Sequence, residues 1–186
     1  MTLRYDSRSR VSTYTQSLVS NADPDFGAFE SIATSVVGAG GTSTITFSSI
    51  PATYKHLQIR IHAMPSANHN ITMRFNGDSA SNYSYHNLSG NGSTVASNGG
   101  PENLMYLPGS SSGIGFPLTV VCDILDYADT NKYKTIRSLG GNDNNGAEGY
   151  IMFRSNNWRS ASAVTSFVLS GSFAQHSHFA LYGIKA

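Results

Sequence analysis

The sequence predicts an all-β protein: an antiparallel β-sandwich of jelly-roll type with an extended N-terminal arm. Three observations carry this. Apolar and polar residues alternate with a period of two in segment after segment, as strands with one buried face require. Clusters of Gly, Asn, Asp and Ser interrupt those segments every 8 to 15 residues or so. No segment sustains the 3.6-residue period of an amphipathic helix.

Residues 1–28 stand apart. Arg4, Arg8 and Arg10 alternate with Ser and Thr, and Tyr5, Tyr14 and Leu18 supply scattered apolar contacts without a period. Such a segment has no core of its own, so it is expected to act as an anchoring arm docked on this domain, a sister copy or another protein. Three arginines are too few for an electrostatic footprint on nucleic acid.

Residues 29–186 form the predicted sandwich. Phe29 to Thr34 opens it, and Thr42 to Phe47 alternates cleanly. His56 to Met64 places Leu57, Ile59, Ile61 and Ala63 on one face. Ile71 to Phe75 ends at Asn76-Gly77, a tight-turn signal. Tyr83 to Leu88 follows, then a Gly/Ser/Asn-rich stretch over 89–103 that reads as a long contact loop, then Leu104 to Leu107. Phe116 to Tyr127 is a long apolar strand and Tyr133 to Leu139 the next. Gly140 to Gly146 and Ser170-Gly171 read as turns around Gly149 to Arg154 and Val164 to Leu169. The last strand, Phe179 to Ile184, must be clamped inside a sheet or it would be an exposed sticky edge.

Composition narrows the function classes. Charged residues are 12% of the chain, about half the usual share, and the formal net charge is +1, so no acidic or basic field points to a partner. There is one cysteine, Cys122, set in an apolar run and expected to be buried and inert. No apolar h-region follows Met1 and no apolar run approaches ~20 residues, so neither secretion nor membrane spanning is expected. The expected setting is a cytoplasm.

The candidate sites have plain readings beside them. His176 and His178 would place two imidazoles on one strand face, as would His56 and His62, but without a Cys pair or a carboxylate partner these read as surface histidines. Asp123 and Asp126 fall on opposite faces of their strand, which argues against a paired-carboxylate hydrolase; Asp126 and Asp129 are expected to cap turn N–H groups beside Asn131. Asn142 to Gly146 lacks the alternating acids of a calcium loop. Four Asn-x-Ser/Thr triplets, at Asn70, Asn82, Asn87 and Asn91, are expected by chance in so Asn- and Ser-rich a chain. Tyr83, Tyr85, Asn87, Tyr106 and Trp158 form the best candidate interface, aromatic rings beside amides suited to a sugar or a protein. No catalytic, cofactor or metal residues are expected.

Several segments resemble a domain that recurs in tailed phages, especially those of marine and freshwater bacteria. They are Phe29 to Thr34, Ile45 to Arg60 with its Ser48-Ser49-Ile50-Pro51-Ala52-Thr53-Tyr54-Lys55-His56, Arg74 to Asp78 with Asn82-Tyr83, Ile124 to Ala128 with Asn131-Lys132, and Phe179 to Ile184. The resemblance covers residues 29–186. It implies a virion-associated β-sandwich and offers no catalytic residues to carry over.

The expected function is therefore a non-enzymatic structural protein of a tailed-phage virion, a capsid decoration or adaptor attached through Arg4, Tyr5, Arg8, Arg10, Tyr14 and Leu18. Its expected partners are other virion proteins and copies of itself, with a trimer favoured, and it would be assembled in the host cytoplasm. The alternative is a tail-fibre or baseplate module that recognises host-surface glycans. Neither reading calls for a nucleic acid, a membrane or a cofactor.

Overall fold

A computed structural model describes residues 28–67, 70–109, 116–143 and 149–185. The anchoring-arm residues named above lie outside these. The described residues contain twelve strands and no helix.

The strands form two antiparallel sheets. The larger has eight: β1 (Phe29–Val36), β12 (His178–Ile184), β3 (His56–Ala63), β8 (Leu118–Leu125), β9 (Lys134–Asn142), β10 (Tyr150–Trp158), β5 (Tyr83–Gly90) and β6 (Val95–Glu102), in that spatial order. The smaller has four: β2 (Thr42–Phe47), β11 (Phe167–Phe173), β4 (Thr72–Phe75) and β7 (Met105–Tyr106). As the sequence required, β12 is clamped, pairing with β1 on one side and β3 on the other.

The core lies between the sheets. The alternation of β3 turns Leu57, Ile59, Ile61 and Ala63 inward, joined by Leu118, Val120, Cys122 and Ile124 of β8 and by Phe179 and Leu181 of β12. From the smaller sheet come Ile45, Phe47, Met73, Phe75, Phe167, Leu169 and Phe173. Ring contacts knit this layer: Phe173 meets Phe179 edge-on at 4.8 Å, and Phe47 meets Phe167 at 5.1 Å. Cys122 is fully buried here, and burial pushes its thiol pKa up.

Four strands cannot cover eight. Beyond β8 the large sheet continues through β9, β10, β5 and β6, which are supplied by two hairpins, β5–β6 and β9–β10.

Three sequence expectations are corrected by the strands as they stand. The stretch over 89–103 is mostly strand: β6 pairs with β5 from Tyr83↔Glu102 to Gly90↔Val95. Its Gly99, Gly100 and Pro101 suit an edge strand, which needs a ladder on one side alone. Gly140-Gly141 is strand as well. A Cβ at Gly141 would stand 2.1 Å from the Tyr150 carbonyl oxygen, and one at Gly140 would stand 2.5 Å from that of Thr119, so close strand approach selects glycine there. Ser170-Gly171 lies inside β11, not at a turn.

The Asn76-Gly77 expectation holds. Both residues have left-handed backbones (φ 50° and 72°), and Asp78 N–H closes the turn on the Phe75 carbonyl at 2.8 Å. The turn leads from one sheet to the other, since β4 and β5 lie in different sheets. Asn76 Oδ1 also accepts the N–H groups of Thr165 and Ser166, holding the entry to β11.

Candidate binding site

The two faces of the extension behave differently. On its inner face β10 presents Met152, Arg154, Asn156 and Trp158, all buried, and β5 presents Tyr83, Tyr85, Asn87 and Ser89 beside them. Tyr83 and Trp158 are core residues, 0% and 2% exposed, which corrects their placement at an interface. Their rings stack at 6.4 Å with planes 18° apart, and Phe75 meets the indole edge-on at 5.4 Å. Their polar atoms face inward too. Tyr83 Oη accepts the Phe75 N–H at 3.3 Å and donates to the Asp78 carbonyl at 3.1 Å. Burial raises the Tyr83 pKa to about 12.

Tyr85, Asn87 and Tyr106 do come together, around a residue the sequence reading passed over. The Arg154 guanidinium lies 4.8 Å from the Tyr85 ring centroid and 5.6 Å from that of Tyr106. Its Nη2 reaches toward Asn87 Oδ1 at 3.5 Å. Arg154 is 8% exposed, and desolvation lowers its pKa. Among the described residues its Nε and Nη1 have no hydrogen-bond partner.

Two neighbours share that condition. Asn156, two residues on and on the same face, donates Nδ2–H to the Tyr106 carbonyl at 3.3 Å, while its buried Oδ1 accepts nothing. Ser138, the register partner of Arg154 on β9, has a buried, unpaired Oγ. A pocket of about 270 Å³ opens beside this cluster, lined by Arg154, Met152, Tyr150, Tyr106 and Asn70 among others. Buried polar groups are rarely left unpaired, and here four such atoms fall on three adjacent side chains. Arg154 was legible in principle. Met152 and Trp158 define the buried face of their strand, and two-residue alternation forces Arg154 and Asn156 onto it.

The outer face of the extension is apolar at its centre. One register row runs Arg60, Val121, Leu139, Phe153, Leu88 and Ser97 across β3, β8, β9, β10, β5 and β6. Its four central side chains are 44–54% exposed. The next row adds Ile151 and Val95. A shallow depression of about 620 Å³ over Gly140 and Gly141 joins the two rows. On the other side the stripe meets a polar row, where Gln58 donates to Asp123 Oδ1 at 2.9 Å and Arg60 Nε donates to Gln58 Oε1 at 2.8 Å.

The remaining candidates are structural. His176 sits in a turn with φ 71°, so it does not share a strand face with His178; the neighbour of His178 is His62, directly opposite in register. His56 Nδ1 accepts the Asp126 N–H at 2.9 Å. Asp129 Oδ1 accepts the Asn131 N–H at 2.8 Å, as expected of a turn cap. Asp126 instead pairs with Lys132 and with Lys55, the latter at 2.8 Å, and their ammonium groups lower its pKa to about 2. Among the described residues no three His, Cys, Asp or Glu side chains gather as a metal site.

Comparison with protein-family models, curated proteins and solved structures gives no match for the chain.

Proposed function

We propose that the chain is a non-enzymatic structural component of a tailed-phage particle, an exterior decoration or adaptor that assembles through the outer face of its large sheet. The observation that carries the reading is the exposed apolar row Val121, Leu139, Phe153 and Leu88. Contiguous apolar surface with a polar border is the anatomy of a protein interface. Eight strands ~4.8 Å apart and about eight residues long offer roughly 1000 Å² of face, comparable to the ~800 Å² that each partner of a stable complex buries.

The strand order supports the same reading. The order β1-β12-β3-β8 facing β2-β11-β4-β7 is that of two four-stranded sheets exchanging successive strands. We read it as a jelly roll, an architecture at home in particle shells, with the two hairpins of the extension inserted into it. The resemblance of residues 29–186 to phage virion domains supports the setting, and the arm, residues 1–28, supplies a second attachment.

The test replaces Leu139 and Phe153 together with Glu. These side chains are about half exposed and directly opposite each other, so the variant should still fold, with a melting temperature lowered somewhat by the facing Glu pair, while it loses self-association in solution and fails to join particles. A variant that still assembles and is still incorporated overturns the assembly role of this face.

A second reading, a module that recognises host-surface glycans, is favoured by the convergence of Tyr85, Asn87 and Tyr106 on Arg154, whose side chain also borders a pocket. A glycan array read alongside binding of the protein to host cells tests it.

A further inference from the structure

Resting on the outer-face reading above, we propose that the occupant of that face is a second copy of this chain, packed sheet on sheet about a two-fold axis that runs along the strands between β9 and β10. The four central apolar side chains place the axis. Val121 and Leu139 lie on one side of the β9–β10 boundary, and Phe153 and Leu88 lie on the other. Such an axis lays Leu139 of each copy on Phe153 of the other, and Val121 on Leu88. Facing sheets keep their strands within about 30° of each other, which this arrangement allows.

Shape and charge both suit a face that meets itself. In the row beside the apolar one, Gly141 and Ile151 are register partners across the same boundary. Ile151 stands out, 61% exposed, whereas the sheet dips over Gly140 and Gly141. The axis therefore seats each Ile151 over the other copy's Gly141, a knob and a hollow on one surface, as a two-fold contact requires. In the polar row on the other side, Asp123 of β8 and His86 of β5 stand equally far from the axis, so the carboxylate of one copy faces the imidazole of the other. The guanidinium of Arg60 is drawn aside, 5.0 Å from the Tyr182 ring centroid and 5.4 Å from that of Phe29. Those rings belong to β12 and β1, which overhang the six strands that overlap.

A two-fold axis across the strands fits worse. It would keep every strand on its own counterpart and exchange the two flanking rows, which sets Arg60 against Arg60 and lays Arg137 and Ser155 on Gly141 and Ile151. Like charges face to face are repulsive, and Ile151 would lose its hollow. The area is also adequate. The overlapping strands, β3 to β6 in spatial order, are ~4.8 Å apart and about eight residues long, which gives roughly 760 Å² per copy against the ~800 Å² of a standard interface.

The test measures dimerisation of the full chain by analytical ultracentrifugation, with circular dichroism confirming that each variant is folded. Leu139→Glu alone and Phe153→Lys alone should each sediment as monomers. Their equimolar mixture should recover the dimer, because the introduced carboxylate meets the introduced ammonium in one half while the other half keeps its native pair. Ile151→Ala adds no charge and should raise the dimer Kd about tenfold or more by emptying the hollow. Failure of the mixture to recover the dimer overturns the axis, and recovery on mixing Leu139→Glu with Leu139→Lys would show the crosswise one in its place. A wild-type chain that is monomeric at every concentration overturns the second copy as occupant. The outer-face reading survives that result if Leu139→Glu still fails to join particles that the wild type joins. A dimer that neither single variant weakens, with particle incorporation also unchanged, overturns both.

Discussion

Trp158 donates its indole Nε1–H to Asp78 Oδ2 at 2.8 Å, tying the end of β10 to the turn that follows β4. The same carboxylate accepts Asn82 Nδ2–H at 3.0 Å and, through Oδ1, the Ala80 N–H at 2.9 Å. These donors hold the Asp78 pKa below the usual carboxylate value, the Asn82 bond contributing most and the Trp158 bond next. One small side chain thus fixes the crossing from the small sheet to the extension. Asp78→Ala should cost about 1–3 kcal/mol by leaving a buried indole N–H unpaired, measured by denaturant unfolding. A loss below about half a kcal/mol would show that the turn holds without it.

Asp126 makes stability depend on acid. Its folded pKa of about 2, set first by Lys132 and then by Lys55, lies below the usual carboxylate value. A group with a depressed folded pKa adds stability above its unfolded value and loses it as pH falls through the folded one. Asp126→Asn should therefore destabilise the protein near neutral pH, by about 1 kcal/mol for so exposed a cluster, and the difference should fade between roughly pH 4 and pH 2. Paired melting curves across that range check it, and a constant difference would contradict the assignment.

Cys122 should resist thiol reagents. It is wholly buried between β3 and β9, and burial raises its pKa, so neither access nor thiolate is offered. Modification by a disulfide-exchange reagent should proceed at the rate of unfolding and become fast in denaturant.

Lys134 is the least obvious structural residue. It is fully buried, and its ammonium donates to the carbonyls of Asp129, of Lys132 at 2.8 Å and of Ala161 at 3.4 Å, with burial lowering its pKa. Lys134→Met keeps the apolar stem and strands three carbonyls, so a loss of about 1–3 kcal/mol is expected. Increased proteolysis across residues 126–133 would accompany it.

The legible part of the sequence was that which encodes burial on one face. The alternation of β3 places its strand to within a residue, and the apolar run of β8 does the same for the strand core. The illegible part was where backbone sufficed. β6 carries almost nothing to bury, so its Gly/Ser/Asn composition reads as loop although β5 supplies a full ladder. Gly140 and Gly141 read as a turn because their other role, permitting close approach of β8 and β10, shows only when the neighbours are in place. The aromatic candidates divided for a related reason. Tyr83 and Trp158 sit where the small sheet still covers the large one, and Tyr85 and Tyr106 sit where that cover ends.

The pairing of β1 with β12 also bears on how the molecule is made. β1 is the first strand of the domain, and its ladder partner is the last, from Phe29↔Ile184 to Val36↔His178. As the chain leaves the ribosome, β1 must wait unpaired until nearly all of the domain has emerged. β3 waits too, for on one side it pairs with β12 and on the other with β8. Closure is thus a late event of high contact order, and the nascent chain carries open strand edges for most of its synthesis. The low-charge, Ser- and Asn-rich strand faces that blur the reading of this sequence are the same ones that such a nascent chain displays while it waits.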